Sequence, residues 1–166
     1  NLLLLIFNFE YIYIMIELPV TEKVFQSSKA VDELNTKDAL KLMIDEHSLS
    51  AKAVEKNLEQ IICIVDEIVN KLQNSKNSRL IYVGAGTSGR IGLQDGIELY
   101  PTFGWPKKRL DFILAGGLDS LITSIENAED NILDAEKEFK VKNIGADDII
   151  IGLAASGNTP FTCRIL

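Results

Sequence analysis

The sequence predicts an α/β fold, an open parallel sheet flanked by helices and preceded by a helical N-terminal segment. Three observations predict it. Three short apolar runs, at 79–83 (RLIYV), 110–114 (LDFIL) and 148–153 (DIIIGL), each lead into glycines or small residues. The stretches between them carry helical spacing. Residues 50–74 carry the strongest amphipathic periodicity in the chain.

The elements follow in order. The chain opens on Asn1, with LLLLIF at 2–7 and YIYIMI at 11–16. This stretch has no basic flank and no small-residue cleavage site, and Asn8 and Glu10 interrupt it. It is also shorter than the ~20 apolar residues a spanning helix needs. Met15 stands just before a sequence that reads as the start of a soluble enzyme. Residues 1–14 are therefore expected to be a non-native or disordered leader, with no membrane partner. Residues 15–75 form the expected helical segment. Within it, 36–46 carries a stripe of Leu40, Met43 and Ile44, with Asn35 or Thr36 as cap. In 50–74 a second stripe recurs at steps of three and four: Val54, Leu58, Ile61, Ile62, Val65, Ile68, Val69 and Leu72. That stripe suits a sheet, a partner subunit, or both. His47 falls between the two helices and is expected in a solvated loop.

Residues 76–166 hold the sheet. The run at 79–83 is a buried parallel strand, 87–98 the helix after it, and 110–114 the second strand. Residues 118–138 are expected as one helix, with Leu121, Ile125 and Ala128 on one face. The run at 148–153 is the third strand. Alternating strands and helices imply a parallel sheet with crossover helices. The chain stops at Leu166, where a further helix should begin. A truncated gene product is expected, its third strand left with an open edge.

The net charge of −7 argues against nucleic acid, whose phosphate backbone requires a basic face. It does not exclude a small phosphorylated ligand, which backbone N–H groups can hold. Cys63 and Cys163 lie far apart with no metal-type spacing, so no metal is expected and a reduced, cytoplasmic setting is.

Ligands in open α/β sheets bind where strands end and helices begin. Two loops there suit an anion. Gly84-Ala85-Gly86-Thr87-Ser88-Gly89 follows the first strand, and its glycines let backbone approach a ligand at a helix N-terminus. Ala155-Ser156-Gly157-Asn158-Thr159-Pro160 follows the third, with Pro160 placed to open a helix. Candidate binding residues are Gly86, Thr87, Ser88 and Gly89 in the first loop, and Ser156, Gly157, Asn158 and Thr159 in the second. The first loop also matches the dinucleotide fingerprint G-x-G-x-x-G, a weak signal alone. Asp111 has the spacing of a ribose-binding acid but sits at the start of its strand, and the strand's end, Ala115-Gly116-Gly117, has none. Two hydroxyl-rich loops suit a phosphomonoester better than a pyrophosphate. The plainer reading is tight strand–helix turns whose serines and threonines only cap helices.

The string Gly84-Ala-Gly-Thr-Ser-Gly-Arg90 with Gly92, Asp95, Glu98 and Pro101-Thr102-Phe103-Gly104 is more specific than either loop. So are Ala115-Gly116-Gly117, Glu126-Asn127-Ala128-Glu129-Asp130, Ala154-Ala155-Ser156-Gly157 and Thr159-Pro160, with Thr21-Glu22 near the start. Together they closely resemble the N-acetylmuramic acid 6-phosphate etherase family, over about half of that family's usual length. The resemblance implies a sugar isomerase (SIS) fold, a homodimer, a sugar 6-phosphate substrate and no metal or organic cofactor. It also implies a carbon–oxygen lyase of cell-wall recycling that releases D-lactate and leaves N-acetylglucosamine 6-phosphate. Elimination and hydration need a base beside the sugar carbonyl and an acid for the departing oxygen. Glu98 matches the family's proton donor and Glu129 its second catalytic glutamate. The fold would have to bring their helices together at the phosphate loops. Gly96-Ile97 and Leu99-Tyr100 around Glu98 depart from the family pattern, as does Asn158, where arginine is common. The alternatives are a non-catalytic sugar-phosphate regulator, such as the glucokinase regulatory protein, a sugar-phosphate isomerase of the same fold, and an inactive remnant.

Overall fold

The computed structural model describes residues 30–166, and the leader expected at 1–14 and the Thr21-Glu22 motif lie outside them. Helix α1, Thr36–Lys56, starts where its cap predicts: the Asn35 side chain accepts from the Asp38 N–H at 3.0 Å. It runs well past the expected end at 46, so His47 is an exposed helical residue rather than a loop residue. Helix α2 is Leu58–Asn74. The single helix expected over 50–74 is divided at Asn57, whose ψ of 12° leaves the helical range while its side-chain amide donates to the Ala53 carbonyl at 2.8 Å. A short amide competing for local backbone groups is a common way to end a helix.

The sheet has three parallel strands: β1, Leu80–Gly84; β2, Leu110–Leu114; and β3, Ile149–Leu153. Their order is β2-β1-β3, with Gly84 level with both Leu114 and Leu153, so the three strands end together. This is the expected open parallel sheet. Strand alternation sends Ile81 and Val83 to one face and Leu80 and Tyr82 to the other. Helix α3, Gly86–Phe103, covers the Tyr82 face. It presents a buried stripe of Gly89, Gly92 and Gly96, which brings its backbone close to the strands. Its end is set by Gly104 at φ 67°, with Trp105 N–H reaching back to the Leu99 carbonyl at 3.2 Å. Ile68 and Leu72 of α2 pack on this same face, whereas Leu58, Ile61, Ile62, Val65 and Val69 stay exposed. Arg109 ties α2 down: its guanidinium donates to the carbonyls of Leu72, Ser75 and Ser78 at 2.8–2.9 Å.

The opposite face carries α4, Ile132–Val141, and α5, Pro160–Ile165. Ala135, Phe161 and Ile165 close there over Ile81, Val83 and Ile113. Pro160 opens α5 as expected.

The one helix expected over 118–138 is not formed. In its place stand two single 3-10 turns, Leu118–Leu121 and Ala128–Asp130, and only then α4. Asn127 at φ 60° breaks the run, and Asn131 starts α4 afresh by accepting from the Asp134 N–H at 3.0 Å. Leu121, Ile125 and Ala128 do have helical spacing, but Ile125 and Ala128 fold back onto Gly116.

At the N-terminal end of the strands the charges are paired. Arg79 donates from Nη2 to Asp148 at 2.7 Å and to the carbonyls of Lys142 and Asn143 at 3.1 and 3.2 Å. Lys142 reaches Asp111 at 2.6 Å. Asp111, weighed above as a ribose ligand, is thus a structural ion-pair partner far from the strands' C-terminal ends. Among the described residues no helix is long and apolar enough to cross a membrane.

Candidate functional site

The chemistry-bearing loops gather where the three strands end. Gly84 and Gly89 make the first turn possible. A Cβ on Gly84 would stand 2.7 Å from the Gly89 Cα, and one on Gly89 would stand 2.8 Å from the Gly84 carbonyl carbon. Helix α3 therefore begins in backbone contact with β1. Its first internal bond is Gly89 N–H to the Ala85 carbonyl, 3.1 Å. The N–H groups of Gly86, Thr87 and Ser88 come before that bond and have no partner within the helix, and the helix dipole favours an anion beside them.

The loop after β2 folds over this turn. Gly116 has φ 81°, a conformation that L side chains rarely adopt, and a Cβ there would lie 2.9 Å from Ile125 Cδ1 and 3.4 Å from Ala128 Cβ. Only glycine lets the chain double back so closely. A cavity of about 230 Å³ results. Ala85, Gly86, Thr87 and Arg90 form its α3 side, and Ser120, Ser124, Glu126, Asn127 and Glu129 its loop side.

The structure therefore brings together Gly86, Thr87 and Glu129, three of the residues singled out by sequence. Ser88 is half-buried and Gly89 is buried in the contact with β1, and neither lines the cavity. Ser156, Gly157, Asn158 and Thr159 lie at the end of β3, on the other side of the central strand, and also stand outside it. There the Ser156 hydroxyl accepts from the Asn158 N–H at 3.1 Å, and Ser156, Gly157 and Asn158 are exposed. The chain crosses over one face after β1 and over the opposite face after β2, so the topological switch lies between β1 and β3. The glycine loop thus borders the cavity on one side and the switch-point crevice on the other.

Glu98 is not brought to Glu129. It lies twelve residues beyond Gly86 on α3, about 18 Å along the axis at 1.5 Å per residue. It is exposed and outside the cavity. Glu129 sits on a 3-10 turn rather than on the expected helix. One turn before Glu98, Asp95 accepts a hydrogen bond from the Tyr82 hydroxyl at 3.0 Å. Burial first, and then this carboxylate, push the Tyr82 phenol up to about 12. Tyr82 is thus a neutral donor that pins the middle of α3 to the sheet.

From sequence, Arg90 and Glu126 stand only as motif residues with no site role, and Ser120 and Ser124 are not singled out. The signal for Arg90 was its position one turn inside a helix that opens on an anion loop. The others became cavity residues only through the fold-back at Gly116. Among the described residues no group of three histidine, cysteine or acidic side chains is placed to hold a metal.

The family model for the glucokinase regulatory protein N-terminal SIS domain matches residues 60–166. That span contains the whole sheet, both glycine loops and the cavity. The chain belongs to the SIS-domain family. Relatives of this SIS domain include the N-acetylmuramic acid 6-phosphate etherase of Geobacillus sp. (strain WCH70), 40% identical over 89% of the chain and 49% of the relative. The etherase of Photobacterium profundum is 42% identical over 86% of the chain and 46% of the relative. That of Clostridium acetobutylicum is 40% identical over 85% and 46%. The chain spans about half the length of the curated relatives it matches.

Proposed function

We infer that this SIS domain is the N-terminal part of an N-acetylmuramic acid 6-phosphate etherase, a carbon–oxygen lyase. One observation carries the reading: the cavity sets a carboxylate, Glu129, beside the unpaired N–H groups that open α3. A sugar 6-phosphate suits that arrangement, with its phosphate at the N–H groups of Gly86, Thr87 and Ser88, Gly89 holding the turn against β1, and its sugar toward Glu129. Ser156, Gly157, Asn158 and Thr159 reach the same ligand from the switch-point side.

In the proposed reaction Glu129 removes the proton from the carbon beside the open-chain carbonyl. The electron pair forms a double bond to the next carbon and expels the lactyl ether oxygen. Glu98 gives that oxygen its proton and D-lactate departs. Water adds across the double bond, leaving N-acetylglucosamine 6-phosphate. Because Glu98 lies about 18 Å along α3 from its own loop, it serves a pocket completed by a second copy, in a homodimer. The exposed apolar stripe of α2 offers area for that association or for the remainder of a longer chain. A net charge of −7 suits neither nucleic acid nor an anionic membrane surface, and the reaction belongs to cytoplasmic cell-wall recycling. The division into residues 15–75 and 76–166 places all of the ligand chemistry in the second part.

The match to a regulatory protein's SIS domain favours one second reading, a sugar-phosphate sensor without turnover. Incubation with N-acetylmuramic acid 6-phosphate, and separately with an aldose 6-phosphate that bears a C2 hydroxyl, separates the readings. D-lactate release supports the etherase, aldose–ketose conversion of a sugar 6-phosphate would make it an isomerase, and saturable binding without either product would make it a sensor.

A further inference from the structure

Arg90 stands out among the residues that line the cavity. It is the only basic one, and it shares the lining with Glu126 and Glu129 of the loop side. Yet its guanidinium is directed at backbone carbonyls. Nε donates to the Ser120 carbonyl at 2.9 Å and Nη2 to the Thr123 carbonyl at 3.3 Å. Among the described residues these are the only hydrogen bonds between α3 and the segment 117–130.

That segment needs such a tie. It has only isolated 3-10 turns, and between Ser124 and Asn127 its one backbone hydrogen bond is that of the Ile125 carbonyl, which accepts from the Ala128 N–H at 3.4 Å. Ala128 and Ile125 anchor its far end against Gly116. Its near end is held at Ser120, which is buried and whose hydroxyl donates to the Gly117 carbonyl at 2.6 Å. Between those anchors lie Ile122, 88% exposed, and Thr123; their N–H groups and the Thr123 hydroxyl donate to the Asp119 carbonyl within the segment, but nothing apolar fixes them to α3. Arg90 supplies the missing attachment from the first turns of the anion-binding helix.

We propose that Arg90 is a positioning residue: it locks the 118–126 loop to the first turns of α3 and so sets how far Glu126 and Glu129 stand from a ligand held at Gly86 and Thr87. The proposal rests on the sugar-phosphate reading of the cavity for its catalytic consequence, but not for the loop attachment itself. The planar guanidinium suits the task because two of its donors are directed in a fixed fork to two carbonyls, which a lysine ammonium on a flexible stem cannot reproduce. Two of its five donors are committed to the loop, and the binding probes below separate this tie from a role in holding phosphate.

The test compares this protein with Arg90→Lys and Arg90→Met, using hydrogen exchange by mass spectrometry, inorganic phosphate and N-acetylglucosamine 6-phosphate as binding probes, and D-lactate release. Amide exchange in 118–126 is expected to accelerate about tenfold in both variants, while β1 and β2 keep their protection. Affinity for both probes is expected to stay within about twofold of the parent. Lactate release is expected to fall about 100-fold in kcat with KM little changed, the loss typical of an ångström-scale misplacement. Added guanidinium ion should restore part of the rate to an Arg90→Ala protein. Unchanged exchange in 118–126 would overturn the proposal. So would exchange raised equally across β1 and β2, which would make Arg90 a general stability residue. A loss of phosphate affinity with the loop still protected would overturn it too, by making Arg90 a ligand. If the parent releases no lactate, the etherase reading fails on its own, and the exchange data still decide the role of Arg90.

Discussion

The two ends of this sheet are built on opposite plans. At the N-terminal end, Arg79, Asp111, Lys142 and Asp148 pair with one another and with loop carbonyls. Asp148 accepts from the Arg79 backbone N–H, its Nε and Nη2, and the Gly145 N–H, and its side chain is 7% exposed. At the C-terminal end the glycines bring backbone close together, and the N–H groups of Gly86, Thr87 and Ser88 have no partner within α3. Thr87, Glu126 and Glu129 stand exposed around a cavity. One end fastens the SIS domain and the other leaves hydrogen-bonding capacity for a ligand. Substitutions at the first should therefore change stability, and substitutions at the second should change activity at constant stability.

The largest effect is expected from Glu129→Gln. Loss of a general base lowers the rate by roughly 10²–10⁴-fold. The residue is exposed, so the free energy of unfolding should stay within about 0.5 kcal/mol of the parent. An equal fall in stability would erase the contrast between the two ends.

Next comes Asp148→Ala, which strands the Arg79 guanidinium. Breaking a mostly buried pair from one side costs about 3 kcal/mol, read as a lower unfolding midpoint. The same carboxylate sets an acid limit. Its hydrogen bond from Arg79 holds it at about 2, below its ordinary 3.8. Its contribution is therefore complete above about pH 4. It should fade as pH falls toward 2, and Asp148→Asn should flatten that part of the stability–pH curve.

A smaller loss is expected from Gly96→Ala. The new methyl would lie 2.6 Å from the Phe112 ring and 3.0 Å from the Tyr82 ring. Overpacking of this kind costs about 1–2 kcal/mol. The pair of rings, 5.9 Å between centroids, fills the space that a larger residue at 96 would take. The smallest effect on stability belongs to Asn158→Ala, an exposed loop residue, within about 0.5 kcal/mol. A measurable drop in sugar-phosphate affinity for that variant would sharpen the comparison by extending the ligand end to the loop after β3.

The strands were legible because each is a short apolar run that stops at glycine or alanine, and β2 falls on the predicted residues 110–114. The glycine loop was legible for the same reason: Gly84, Gly86 and Gly89 together have few uses other than a tight turn into a helix. The helix expected over 118–138 went wrong because Leu121, Ile125 and Ala128 satisfy helical spacing by coincidence, while Ile125 and Ala128 pack on Gly116 of the same loop. The readable warnings were the asparagines. Asn127 takes a left-handed conformation and Asn131 caps a new helix, as Asn57 divides the other over-extended one. Arg90 was not legible as a tie because its acceptors, Ser120 and Thr123, are 30 and 33 residues away and are backbone atoms, which carry no sequence mark. The separation of Glu98 from Glu129 was hidden likewise. Spacing along α3 fixes how far Glu98 lies from its own loop, but only the fold-back at Gly116 places Glu129 beside that loop.

The most direct test of the account is solvent deuterium exchange at the carbon beside the carbonyl of N-acetylglucosamine 6-phosphate, followed by proton NMR in heavy water. Exchange needs the base but no departing ether. The account predicts that the protein catalyses it, that Glu129→Gln abolishes it, and that Glu98→Gln keeps it while losing D-lactate release. Exchange that survives in Glu129→Gln would contradict the placement of the base in the cavity at the C-terminal end of the sheet.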